Sequence, residues 1–388
     1  MRHVCVLVGG IVVAKVSEAG IARHFEGLTD PRRREPIYPL VNVVVMALCA
    51  VLSGADDFVS IAAWSREKRG WLAKFLDLSA GVPSHDRFNA VFAALNPAEF
   101  EKCFLSWVTA LHEVTDGQVI AIDGKTLRRS FDAASSKAAI HMVSAWATAN
   151  HIALGQVVTD AKSNEITAIP RLLEMLEIKG CLVTIDAMGC QREIAERIVE
   201  EGGDYVLATK GNQPNLCEAI DAFFTAQLED DCRNVACRRH ESHEKGHGRE
   251  EDRYYYLTKL PEGFPEREKW RGLKAIGMAV RITTHGDGAQ TFDTRYYITS
   301  RYVSGKRFAE AVRGHWGIEN SLHWQLDVTF GEDQCRVRKG HADANLSLLR
   351  RTALSLLKNN TSRKLGVKNK RLTAAWSDQY RLEVLCGA

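Results

Sequence analysis

The chain has 388 residues, of which 45% are hydrophobic and 26% charged, and its formal net charge is +3. That profile is ordinary for a globular protein and is long enough for two domains or one large domain with an insertion. So mild a charge does not by itself demand a polyanionic partner, but the basic residues cluster at 32–34, 125–129, 336–339, 350–351 and 363–371, where they fit either phosphate contacts or solvated faces. The ten cysteines stand singly and irregularly, which reads as a reduced, cytoplasmic setting. An apolar run at 4–14 is too short to span a bilayer and lacks a clean signal-cleavage site, so residues 1–20 read as a non-structural leader.

Residues 21–115 are patterned as helices throughout. One is predicted over 38–52, carrying Val41, Val44, Val45, Leu48 and Val51, and a second over 57–75, with Trp64 and Trp71 as anchors. Ser84 offers an N-cap to a third, and Pro97 starts a fourth through Phe100, Phe104, Trp107 and Leu111. Nothing in this helical N-terminal domain looks catalytic. As a set of helices it is the expected reader of DNA if the chain binds any.

At Gly117 the grammar changes. Val119–Ile122 reads as a short buried strand ending on Asp123, followed by Gly124, Lys125, Arg128 and Arg129. Strands over 139–147 and 152–158 follow, joined by a turn at 148–151; then come a helix from Glu165, a strand over 182–185 ending on Asp186, a helix over 191–200 and a strand over 204–209. This β-β-β-α-β-α-β order is that of an RNase H-like α/β fold, a mixed sheet flanked by helices, in which the first and fourth strands are neighbours. Residues 116–229 would be the first part of that core. Residues 230–303 read as a β-rich insertion, with strands at 253–257, 275–284 and 291–300 and a hairpin turn at Gly286-Asp-Gly288. Helices resume over 304–358, first as one long stripe from 306 to 330, and 359–388 reads as a loosely ordered basic tail.

A carboxylate at the end of a buried strand is either a satisfied turn residue or a ligand for a hard cation. Asp123 and Asp186, brought to one sheet end, would make half of a Mg²⁺ or Mn²⁺ site, and a further carboxylate is needed from a packed helix. Glu319, among aromatic and histidine residues, is the best candidate; Asp327, Glu332 and Asp333 compete with it. Lys210 and Asn212 leave the last core strand at the same end, where a lysine either holds a phosphate or is solvated. The segment from His247 through Arg249 to Arg253 is either a DNA-facing ribbon or a charged edge. Cys232, Cys237, His240, His243 and His247 have no CxxC pair and are interleaved with charged residues, which argues against zinc.

Five motifs in order carry a resemblance: Ala121-Ile-Asp123-Gly-Lys125-Thr-Leu-Arg128-Arg-Ser, Lys162-Ser-Asn-Glu165-Ile-Thr-Ala-Ile-Pro170, Asp186-Ala-Met-Gly-Cys-Gln191, Tyr205-Val-Leu-Ala-Thr-Lys210-Gly-Asn212-Gln-Pro214, and His315-Trp-Gly-Ile-Glu319 running on through Asp327-Val-Thr-Phe. Together they resemble the H-repeat-associated group of DDE insertion-sequence transposases, over about residues 25–357. Gly81-Val-Pro-Ser84-His-Asp86 resembles that group's associated N-terminal domain. The resemblance implies bacterial, nucleoid-associated DNA transposition. Asp123, Asp186 and Glu319 would hold Mg²⁺ for cleavage at element ends and strand transfer, and a homodimer would join two ends. Related transposases carry a Tyr-Arg-Glu-Lys signature around the glutamate; the matching positions here are Val312, His315, Glu319 and Leu326, so His315 either takes over a phosphate contact or packs. Two alternatives stand beside this reading: a nuclease with the same metal core and no strand transfer, and a silent DNA-binding relic of a transposon. Lys125, Arg128, Lys210, Asn212, Arg249 and His315 are the expected DNA contacts.

Overall fold

Apolar segments of helical and of strand period alternate along the chain, and the architecture follows them. The fold is known from a computed structural model that describes residues 21–111, 118–127, 140–159, 165–246 and 248–387. The N-terminal helices are α1 (Ile21–His24), α2 (Leu40–Leu52), α3 (Phe58–Glu67), α4 (Arg69–Leu72), α5 (His85–Ala94) and α6 (Pro97–Leu111). Helix α2 is buried on nearly every side, as its unbroken apolar run requires. A capping box at Asp57 and Ser60 starts α3, and Ser84 caps α5 through the Arg87 amide. The helix predicted over 57–75 is two helices, broken at Lys68.

The strands are β1 (Val119–Thr126), β2 (His141–Ala147) and β3 (Ile152–Thr159), then β4 (Leu182–Ile185) and β5 (Asp204–Thr209), with α7 (Glu165–Glu174) and α8 (Arg192–Glu200) between them and α9 (Pro214–Glu229) after. Next come β6 (Cys237–Gly246), β7 (Arg249–Lys259), β8 (Ala275–His285) and β9 (Gln290–Thr299). All belong to one 9-stranded sheet in the order β3-β2-β1-β4-β5-β9-β8-β7-β6. Strands β1, β4 and β5 run parallel, and the others pair antiparallel. The segment read as an insertion therefore prolongs the central sheet through β9 on β5. It contains four strands where the sequence pattern predicted three.

Helix α10 (Gly305–Ile318) passes without a break into a π turn (Glu319–His323) and α11 (Trp324–Val328); α12 (Ala342–Asn359), α13 (Val367–Trp376) and α14 (Asp378–Leu385) complete the chain. Helix α12 joins the two halves, because the N-terminal helices and the sheet share one hydrophobic core. Its Asn345 amide donates to the carbonyls of Phe92 (2.8 Å) and Leu95 (3.1 Å) at the end of α5.

The expected loose tail is folded, and three of its basic residues, Lys370, Arg371 and Arg381, are buried and structural. Arg371 is buried and donates to the carbonyls of Val51 (3.0 Å) and Ala55 (3.1 Å), just where α2 ends. Lys370 does the same for Leu357 (2.9 Å) and Asn360 (2.6 Å) at the end of α12. A cation at a helix C-terminus satisfies orphan carbonyls and opposes the negative pole of the helix. The Arg381 guanidinium lies 3.9 Å from the centroid of Trp71, a buried cation–π contact. No helix among the described residues is long and apolar enough to cross a membrane.

Candidate functional site

The parallel pairing of β1 and β4 sets Ile122 opposite Ile185, so Asp123 and Asp186 are the next residues on adjacent strands, which run about 4.8 Å apart. Burial, then the charges of Asp186, Glu165 and Glu319, push the Asp123 carboxyl up to about 7. Asp186 is also raised, by burial and then by Glu165, although its Oδ1 accepts from the amides of Met188 (3.1 Å) and Gly189 (3.2 Å). An acid pushed up by burial and by like charges costs energy whenever it is ionised.

Glu319, the expected third acid, is exposed at the start of the π turn, where the Trp324 amide donates to its carbonyl five residues back. Its charge reaches Asp123. Two of its three competitors are already engaged: Asp327 and Glu332 both receive the Lys125 ammonium, Glu332 at 2.9 Å. Lys125 is therefore corrected as a DNA contact, being buried and paired. His315 packs over β4 with Nδ1 3.4 Å from the Thr184 hydroxyl, and burial pushes its ring down to about 4. Of the two readings given for this histidine, a phosphate contact and packing, the contact with Thr184 is the packed one.

Lys210 and Asn212 are exposed on the loop after β5, and the Asn212 amide donates to the Ala187 carbonyl at 2.6 Å, tying this loop to the one after Asp186. Arg249 is exposed, 2.9 Å from Glu251. It lines a groove of about 320 Å³ that runs beside the π turn to Asn320. Arg253, Arg281, Arg295 and Arg313 share that groove with Glu251 and Asp293, so positive charge prevails there. The Arg295 guanidinium lies 4.1 Å from the centroid of Trp316. Arg128 and residues 1–20 lie outside the described residues.

Three nearby side chains were not foreseen. Glu165 opens α7 and lies 2.8 Å from His141 Nε2, against Gly124. Any Cβ at Gly124 would come within 2.2 Å of Glu165 Oε1 and 2.5 Å of His141 Nε2. The third is His323, with Nδ1 3.4 Å from Asp123 Oδ2 and a ring pushed down to about 3 by burial and then by Arg351 and Lys125. Both Glu165 and His323 lie inside the recognised motifs, which was the available signal. Among the described residues, no set of three acidic, histidine or cysteine side chains is already drawn together around a point. The donors at hand are nonetheless carboxylate oxygens with unrelieved charge, and His323 Nε2 is buried without a partner. That donor set suits a hard divalent cation.

Comparison with known proteins places the chain. Residues 114–356 match the family described as Transposase DDE domain, and residues 22–108 match the DDE_Tnp_1-associated family. The Escherichia coli O157:H7 protein "Putative transposase YncI" is 42% identical over 90% of this chain and 89% of its own length. From Escherichia coli K12, "H repeat-associated putative transposase YhhI" is 38% identical over 95% of this chain and 98% of its own. A solved piggyBac transposase synaptic complex with hairpin DNA aligns over 96% of this chain and 79% of its own, at 10% identity and a TM-score of 0.41, a likeness too slight to build on. With matches of this length, the chain belongs to the DDE-domain transposases, in their H repeat-associated group.

Proposed function

We propose that this insertion-sequence transposase cuts DNA at the ends of its element and joins the freed 3′-hydroxyl to target DNA, with Asp123, Asp186 and Glu319 as ligands of Mg²⁺ or Mn²⁺ in an RNase H-like core. The observation that carries this reading is the placing of Asp123 and Asp186 as matched successors of a parallel strand pair, with Glu165 and Glu319 adding charge to Asp123. Bound there, a divalent ion supplies Lewis-acid activation of a phosphodiester and of the attacking oxygen.

The chain's own residues do the rest. Asp123 gives up its proton when a cation arrives, so binding is coupled to proton release below about pH 7. Asp186, fixed by two backbone amides, presents its remaining oxygen. Neutral His323 sits against Asp123 and fixes one of its oxygens. The arginine-lined groove beside the π turn holds the DNA backbone, with Arg249 at its rim, and exposed Lys210 on the loop after β5 adds a further phosphate contact. Element DNA is thus the partner, two copies of the chain join two ends, and the protein works in the bacterial cytoplasm at the nucleoid.

The test is cleavage of DNA carrying the element ends by wild type, Asp123→Asn and Glu319→Gln. Both variants should bind the ends yet lose Mg²⁺-dependent cutting by at least ~10³-fold, an effect of ~4 kcal/mol. Cutting by either variant at the wild-type rate would overturn the ligand assignment. Cleavage without joined product would favour the nuclease, and binding without cleavage by wild type would favour the relic.

A further inference from the structure

Glu319 is carried by a helix that has to be held at the right register against β1. Residues Asp123 and Lys125 lie on the same face of that strand, about 6.6 Å apart. Residues His323, which ends the π turn, and Asp327, on α11, lie on the same helical face, about 6 Å apart. The two spacings match, and the side chains meet in pairs: His323 Nδ1 is 3.4 Å from Asp123 Oδ2, and the Lys125 ammonium contacts Asp327. Strand and helix are therefore locked by two rungs.

The second rung is anchored further. Lys125 also donates to Glu332 at 2.9 Å, and Glu332 accepts from the Ser347 hydroxyl at 2.6 Å on α12. Arg351, one helical turn on, donates to that same hydroxyl (3.3 Å) and to Ser144, which sits opposite Asp123 on β2. Glu319 and His323 are the two ends of the π turn, whose wider hydrogen-bond ring makes it the yielding point of the helix.

We propose that Lys125 is a positioning residue: by holding Asp327 and Glu332 it fixes the register of the π turn on β1 and so sets Glu319 toward the two aspartates. This rests on the assignment of Glu319 as a metal ligand, and it gives the lysine of the Asp123-Gly-Lys125 motif a task other than touching DNA. Without Lys125, Asp327 would lose its ion-pair partner and Glu332 its first-ranked cation, and the helix would lose the rung that follows the turn.

The full-length chain tests this in two variants: Lys125→Met/Glu332→Gln, which neutralises the buried partner together with the lysine, and Asp327→Asn, which cuts the same rung from the helix side. Hydrogen–deuterium exchange reads the register, and Mn²⁺ binding followed by electron paramagnetic resonance reads the site. In folded variants, amides over 316–328 should exchange about tenfold faster while β1–β5 stay protected. The Mn²⁺ dissociation constant should rise roughly 10–100-fold. A purely structural lysine would lower the melting temperature and leave Mn²⁺ affinity per folded molecule unchanged, and that result overturns the proposal. Unchanged exchange overturns it as well. If wild type binds no Mn²⁺, the metal-ligand reading fails instead, while the exchange data still decide the rung.

Discussion

Asp123 and Glu332 are both withdrawn from water, yet they are held in opposite ways. Burial and the charges of Asp186, Glu165 and Glu319 leave Asp123 near 7. For Glu332, whose side chain is 0% exposed, burial alone would act in the same direction. The Lys125 charge, then Arg351 and Arg350, and the Ser347 hydrogen bond outweigh it and bring that acid down to about 2. The difference lies in company and not in depth. Glu332 is met by three cations and a hydroxyl, whereas the acids around Asp123 repel one another. An interior that compensates one carboxylate so fully and leaves another bare has room for a cation from outside at the second.

The sharpest way to break this contrast is Lys125→Met alone, which strands Glu332 in the interior. It should cost on the order of 3–5 kcal/mol, read as a fall in denaturant midpoint, and Glu332→Gln in the same chain should recover part of it.

Next in size is Asp123→Asn. The folded Asp123 titrates near 7 against an ordinary 3.8, so its contribution to stability is complete below about 4 and is lost as pH rises through about 7. Glu332 runs the other way: its contribution is present above 4.5 and lost as pH falls through about 2. In metal-free buffer at pH 8, Asp123→Asn should therefore stabilise the chain by on the order of 2–4 kcal/mol and flatten its alkaline limb. Mg²⁺ should stabilise wild type at that pH and leave the variant unmoved. A variant less stable than wild type would show that the site is already compensated.

Gly124→Ala sharpens the contrast from the opposite face of the strand. Its methyl would strike Glu165 and His141, costing about 1–3 kcal/mol. Driving Glu165 away should also let Asp123 titrate lower, which carbon-13 detection of its carboxyl would register. The smallest effect belongs to the rim. Arg249→Ala should change stability by no more than about 0.5 kcal/mol, because an exposed pair contributes little. It should weaken DNA binding and lower the slope of affinity against salt by about one.

What the sequence made legible follows from how each part is built. Strands β1, β4 and β5 are short apolar runs between helices, and their order alone put Asp123 beside Asp186, as the pairing of Ile122 with Ile185 has it. Strand β6 was missed because Cys-Arg-Arg-His-Glu-Ser-His-Glu-Lys-Gly is an edge strand exposed on nearly every residue, so no hydrophobic alternation marks it. The final helices were missed for the reverse reason. Lys370, Arg371 and Arg381 look like solvated charge in sequence, and only the carbonyls and rings they meet across the chain make them interior groups. Lys125 was misread in the same manner, since its partners lie some two hundred positions away. The sequence assigns Glu165 no role, because its closeness to Gly124 depends on how α7 returns over the sheet.

The capping of α2 by Arg371 has a genetic consequence. A stop codon or frameshift shortly before that arginine would delete none of the three proposed metal ligands, yet it would bare the helix end at Val51 and Ala55 and remove the ring contact on Trp71. Lesions at the 3′ end of this reading frame would thus silence the element through loss of folded protein, with all three acidic codons still intact.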